Sequence, residues 1–225
     1  MTRSVWMLAL AILGTLVPPA PADAQPKELP LTVSTTFGPS EILRKTDRWG
    51  PAKLRDKVGE GEGVRALAGG RVTLLTNSGN SLRMAQFSQL FVPAPDPARP
   101  AAADAPARVT LDGGRVWVSV LPLTVTRAPL EVEAGPVTVG IRSGGTFIRA
   151  NQDGSIMVRV YHGLAVARAT KGGWDRTLQA GTEILVPASG GAPTPRPITS
   201  DPNEANWVRW NSEQDVAGYG MPAPK

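Results

Sequence analysis

The stretch VTVGIRSGGTFIRANQDGSIMVRV, residues 137–160, decides the architecture. Val137, Val139 and Ile141 recur every second residue, which is the repeat of a strand with one buried and one wet face, not of a helix. Ser143-Gly144-Gly145 then forms a glycine-rich corner before Phe147, and Asp153-Gly154 turns the chain into Ile156, Val158 and Val160. Downstream, His162-Gly163 turns it again into Leu164 and Val166. Upstream, Leu130 and Val132 alternate with Glu131 and Glu133 until Ala134-Gly135-Pro136 breaks the run. Before that, Val109 and Leu111 lead into Asp112-Gly113-Gly114, and Val116, Val118 and Val120 alternate with Arg115, Trp117 and Ser119, a pattern read as a hairpin. Val72 and Leu74 reach Leu82 and Met84 through Asn77-Ser78-Gly79-Asn80, a second hairpin with an Asn/Gly turn. Short strands punctuated at this spacing predict an all-β fold, a sandwich or solenoid-like roll of short strands and hairpins.

Composition agrees. The 225 residues include 24 Gly and 22 Pro, too many breakers for a helical bundle. There is no Cys, which removes disulfide scaffolds, thiolate metal sites and cysteine nucleophiles, and one His. Arg3, the uncharged run Val5 to Val17 and the small-x-small triplet Ala22-Asp23-Ala24 read as a secretory signal over residues 1–24. The apolar run has thirteen residues, short of the roughly 20 a spanning helix needs. An exported chain of net charge +5 is expected to meet an envelope protein or an anionic envelope polymer, not nucleic acid.

Residues 25–186 are expected to form one all-β domain, interrupted by a flexible Pro/Ala-rich loop over residues 93–107. Residues 187–225 read as a flexible tail, with a short helix possible at 203–216 that carries Trp207 and Trp210 on one side. No transmembrane span is expected in the mature form, and the location is expected to be periplasmic or secreted.

Several segments together resemble one family. VGEGEGVR (58–65), GGRVTL (69–74), NSGNSL (77–82), GRVWV (114–118), PLEV (129–132), VTVGIR (137–142), Phe147, DGS (153–155) and VYHGLAV (160–166) follow the order of the FecR domain family. The resemblance runs from about Leu31 to Val186, and WVRWNSEQD (207–215) is similar to a tryptophan-containing segment that follows the domain in some exported relatives. Departures exist: the G-V-R-G-T-x-F corner of the family is one residue longer here, as GIRSGGTF, and His162 stands where acidic residues are common. The resemblance implies an all-β periplasmic domain that, in its best-known members, relays a signal from an outer-membrane receptor to a sigma factor. Only four residues precede the apolar run, so the expectation is an exported module without the cytoplasmic anti-sigma segment.

Catalytic sets are scarce. His162, the sole imidazole, sits at a strand end and reads as an exposed turn residue. Glu60 and Glu62 flank Gly61, and Glu131 and Glu133 are expected on the wet face of a strand, so both pairs read as solvated charges; a carboxylate-dependent wall or carbohydrate hydrolase built on them is the alternative function. No cofactor, metal or catalytic residue is assigned. A set of strand arginines, Arg115, Arg142, Arg149, Arg159 and Arg168, is expected to face solvent and, with Trp117, to offer a surface for an acidic partner. Trp117 itself is either an exposed anchor or the lid of a second layer, the lid being preferred. The expected function is a non-catalytic binding or signalling-adaptor module of the cell envelope, with a purely structural envelope component as a further alternative.

Overall fold

The computed structural model describes residues 30–94, 106–121 and 130–221. The leader at 1–24 and most of the Pro/Ala-rich stretch at 93–107 lie outside the described residues.

Among the described residues, sixteen strands build two layers that share two long strands, β9 (Arg108–Val120) and β11 (Val137–Ala150). The first layer runs in the order β4 (Lys57–Val58), β1 (Leu31–Phe37), β6 (Arg71–Leu75), β7 (Ser81–Met84), β9, β11, β12 (Ile156–Val160), β15 (Thr182–Val186) and β16 (Arg196–Pro197). The second contains β3 (Trp49–Pro51), β2 (Ser40–Leu43), β5 (Gly63–Ala66), β8 (Ser88–Phe91), β9, β10 (Leu130–Ala134), β11, β13 (Leu164–Ala169) and β14 (Asp175–Gln179). Pairing is antiparallel except between β9 and β10, which run parallel.

Each long strand changes layer at a glycine. Gly113 and the residues before it in β9 pair with β8 and β10, whereas Gly114 to Val120 pair with β7 and β11. Asp112-Gly113-Gly114 is therefore a bend inside one strand, not the hairpin turn expected from its composition. Glycine is required there because φ is +78° and an added Cβ would lie 2.5 Å from the Phe87 carbonyl oxygen and the Ser88 Cα. The Ser143-Gly144-Gly145 corner does the same for β11: Val137 to Ser143 pair with β10 or β13, and Gly144 to Ala150 with β9 and β12. Gly144 has φ +84°, and a Cβ on it would collide with the carbonyl of His162. The extra residue in this corner is absorbed as a register shift between Ile141 and Ser143.

The two layers close over one core. Val33, Leu74, Leu82, Val118, Ile148, Val158 and Ile184 from the first layer meet Ile42, Val64, Leu90, Leu111, Val132, Val139 and Leu178 from the second. Leu74, Leu82, Leu111, Val118, Val132, Val139 and Val158 are inward positions of the expected alternation, which did not mark the other seven, and each contributes about 1.5–3 kcal/mol on full burial. The fold is thus an all-β sandwich, the class expected from the period-two pattern.

A third layer lies on the outer face of the first sheet. Helix α1 (Ala205–Tyr219) covers a second cluster comprising Ala85, Trp117, Phe147, Met157 and Trp207. The chain reaches this helix through residues 187–204, which are not loose in the structure. Trp174 Nε1 donates to the Gly190 carbonyl at 2.9 Å, Arg176 Nε to Pro193 at 3.1 Å, and β16 pairs with β15. Proline bars this segment from a sheet interior but leaves its carbonyls free to accept side-chain bonds. Among the described residues no helix is long and apolar enough to cross a membrane.

Candidate functional site

Alternation on β7, β9, β11, β12 and β15 sends one residue of every pair away from the core. Cross-strand register lines those outward residues into a row, Arg83, Trp117, Phe147, Arg159 and Glu183, each the partner of the next. The neighbouring rows are Ser81, Ser119 and Gly145 on one side and Arg115, Arg149, Met157 and Leu185 on the other. The expected positions of Arg115, Trp117, Arg149 and Arg159 on one outward face are therefore observed. Solvent exposure is not: Trp117 is 0% and Arg159 4% exposed, because α1 lies across them.

Two acidic residues of the helix segment hold it there. Asp215 accepts from Arg83 Nη1 at 2.6 Å, from Ser119 Oγ at 2.6 Å and from Trp117 Nε1 at 2.9 Å. Glu204, the residue before the first helical turn, accepts from Arg149 at 2.5 Å and Arg159 at 2.6 Å and lies 3.8 Å from Arg115. Arg159 is in turn bonded to Glu183 at 2.7 Å, and Glu183 to Arg196 at 2.9 Å. Trp117 stacks on Tyr161 at 4.9 Å between ring centroids and is buried in the cluster beneath α1, so it is not an exposed anchor.

Charge and burial oppose one another across this face. Burial pushes the Arg159 guanidinium down, but its bond to Glu183 and the nearby Tyr161 and Glu204 outweigh that and raise it. For Glu183, burial pushes the carboxyl up, and the Arg159 bond and charge overcome it and leave it below the ordinary carboxylate range. Arg115 moves the other way: its desolvation, reinforced by the charges of Arg149 and Arg71, lowers it despite Glu204.

The helix interface is mixed, an apolar cluster around Trp207 flanked by polar and charged groups. Its buried face comprises Trp207, Asn211, Ser212 and Asp215, with Glu204 buried just before it. Ser81 Oγ, Arg149 Nε, Trp207 Nε1, Asn211 Oδ1 and Ser212 Oγ are buried without a partner. Each such atom costs about 1–3 kcal/mol, which offsets part of what the ion pairs and the aromatic cluster contribute to holding α1.

Sequence reasoning missed Arg83, Glu183, Glu204 and Asp215. Glu204, Trp207, Asn211 and Asp215 are spaced i, i+3, i+7, i+11, one face of a helix, so a signal was present. It was written in polar residues, which hydrophobic periodicity does not register.

The remaining candidates lie elsewhere. Arg142 and Arg168 are on the second layer and do not join the site. Arg142 is exposed, while Arg168 and Arg108 both pair with Glu131. Glu131 is 2% exposed, so it is not the solvated charge its alternation suggested: the two arginine stems close over it and its charge is paired. Glu62 accepts from the Gly59 backbone N–H at 2.9 Å and pairs with Arg44 at 3.5 Å. His162 is buried, not an exposed turn residue, because the Gly163 turn folds back on the Gly144 corner and the His162 backbone N–H donates to the Gly145 carbonyl. Its Nε2 has no partner, and burial lowers its pKa although the Asp215 charge raises it. Among the described residues there is no group of three or more His, Asp and Glu able to hold a metal ion.

Residues 62–166 match the family model described as FecR protein. No curated protein matches the chain. Among solved structures, a candidate anti-sigma factor from Parabacteroides distasonis ATCC 8503, determined at 1.65 Å, is similar at 14% identity with a TM-score of 0.51. That similarity covers 67% of this chain and 64% of the other, less than two-thirds of the relative's length. A second structure of a candidate anti-sigma factor from the same organism, at 2.50 Å, has 18% identity, a TM-score of 0.39 and coverage of 65% and 58%. The first likeness supports the fold.

Proposed function

We propose, from the match of residues 62–166 to the FecR family model, that the chain is a non-catalytic signalling adaptor of the bacterial cell envelope. It works by docking an acidic segment of another envelope protein on the outer face of its first layer. The observation that carries this reading is that Arg115, Trp117, Arg149 and Arg159, with Arg83, already grip an acidic helix, the chain's own α1, through Glu204 and Asp215. A face that recognises carboxylates at both ends of a helix, over an interface with unsatisfied polar atoms, supports exchange of one acidic segment for another by local opening. The periplasmic setting follows from the leader read at residues 1–24 and belongs to the same proposal.

A photocrosslinking residue placed at Leu185, which is 44% exposed at the edge of this face, tests it in cells. An envelope protein captured there, and captured more strongly when Asp215→Asn loosens α1, is the expected result. Capture of none, together with hydrolysis of a wall polymer by the purified chain, would overturn the reading in favour of the hydrolase.

A further inference from the structure

A cleft of about 210 Å³ opens between the Gly69–Arg71 turn and the first turns of α1. It is smaller than the roughly 300–1,000 Å³ that hold drug-sized ligands, so it suits a single ring or a small anion. Arg71 and Arg115 line it, and among the described residues no carboxylate does.

The charges are unbalanced. Arg71 has no ion-pair partner among the described residues; its guanidinium lies over the rings of Trp210 and Trp207, at 5.7 and 5.9 Å. Arg115 lies over Trp207 at 5.6 Å, and its one acidic neighbour, Glu204, is 3.8 Å away and committed to Arg149 and Arg159 at shorter range. Two guanidinium groups thus border one small space, and among the described residues the only counter-ion either has is Glu204, which Arg115 shares at longer range with Arg149 and Arg159.

Two of the other polar side chains offer donors, and Asn203 adds an amide of both kinds. Gln86 spends its side-chain oxygen on the Gly69 N–H at 2.8 Å, and Asn206 spends its own on Arg209 at 3.0 Å, which leaves both amide NH2 groups to donate. Trp207 Nε1 is buried without an acceptor. The wall behind them is aromatic: Trp207 and Trp210 stack at 5.5 Å with 27° between their planes. Cations held over ring faces with amide donors beside them call for a ligand with acceptors, negative charge and a flat or cyclic body.

We propose that this cleft binds a carboxylate carried on a ring, of the kind an acidic sugar presents. The carboxylate lies between Arg71 and Arg115, the ring lies against the half-buried Trp210, and ring oxygens accept from Gln86 and Asn206. One wall is sheet and the other is α1, so an occupied cleft ties the helix down. The inference is independent of the docking proposal: it requires a closed α1 and no protein partner.

The test is a titration of the full-length, 15N-labelled protein with glucuronate, glucose and inorganic phosphate in parallel, read at the indole N–H signals of Trp207 and Trp210. Saturable shifts with glucuronate, weaker with glucose and with phosphate, are expected, as is slower amide exchange over residues 205–219. Arg71→Ala, an exposed position, is expected to weaken glucuronate about tenfold or more, while Arg142→Ala on the other layer changes nothing. Equal response to phosphate would make this a simple anion site, and equal response to glucose would remove the carboxylate; either overturns the proposal. So would an Arg71→Ala titration that matches the unaltered chain.

Discussion

Asp215 of α1 and Arg83 of β7 form a 2.6 Å ion pair with both side chains buried, 132 residues apart in sequence. A carboxylate in the last turn of a helix opposes the helix dipole, so its position is explained by the sheet beneath it and not by the helix. Breaking a buried pair by removing one partner costs about 3–5 kcal/mol, because the other charge remains desolvated. Asp215→Asn, which keeps the shape, is expected to detach α1 while the sandwich persists. Amide exchange is the measurement: protection of residues 205–219 should collapse, and that of β9 and β11 should survive.

The two corner glycines separate helix docking from sheet folding. A Cβ on Gly145 would meet Asp215 Oδ2 at 2.8 Å and the Trp117 ring at 3.0 Å, both at the helix interface. Gly145→Ala is expected to displace α1 with little loss in the sheets. Gly144→Ala is different in kind, since its φ is positive and the obstruction is backbone. It should cost several kcal/mol of global stability, of the order of a strained backbone plus a misformed corner. Denaturant titrations of both variants, followed by far-ultraviolet circular dichroism and by tryptophan emission, should show coincident loss for Gly144→Ala and a change confined to emission for Gly145→Ala.

Much of this was legible beforehand and some was not, for identifiable reasons. Period-two runs located inward residues from Val72 to Val160 because burial on one face writes itself directly into alternation. On β13 the phase is the reverse of that suggested by Leu164 and Val166, since the small Ala165 and Ala167 face the core and the larger residues are half-buried on the other side. The same runs could not tell a hairpin from a bend at Asp112-Gly113-Gly114, since a glycine at positive φ serves either, and only the pairing of Gly114 with Ala150 distinguishes them. Arginines were placed on the correct face, but exposure was assigned from polarity alone. Arg159 and Glu131 are buried because partners distant in sequence, Glu204 for one and Arg108 and Arg168 for the other, neutralise them. Pairings that span tens of residues leave no local periodic mark.

His162 makes the third layer sensitive to mild acid. Its pKa is lowered in the fold by burial, against the pull of Asp215, from an ordinary value of 6.5. A base whose folded pKa is depressed binds fewer protons folded than unfolded, so its stabilising share is present above about 6.5 and is lost as pH falls from there toward the folded pKa. His162→Gln is expected to flatten the stability profile below pH 6.5, checked by thermal unfolding at half-unit pH steps. Glu183 acts in a lower window: its folded pKa lies below the ordinary 4.5, so its share is held above 4.5 and disappears as pH falls through the folded value. The decline below 4.5 should therefore remain in His162→Gln.

Phe87 supplies the last prediction. It is 67% exposed with φ +62°, an αL conformation that is costly for an aromatic residue, at the point where the chain leaves β7 for β8. Its backbone is pinned from both sides, by a 2.7 Å bond from its N–H to the Ala66 carbonyl and by its own carbonyl against Gly114. The αL form costs a non-glycine residue roughly 1–2 kcal/mol, and glycine returns part of that through unfolded-state entropy. An exposed side chain loses almost no burial on removal, so Phe87→Gly should raise unfolding free energy by up to about 1 kcal/mol. Urea denaturation decides it, and an unchanged slope with a higher midpoint is expected. A lower midpoint would mean that the exposed ring makes a stabilising contact outweighing its backbone strain.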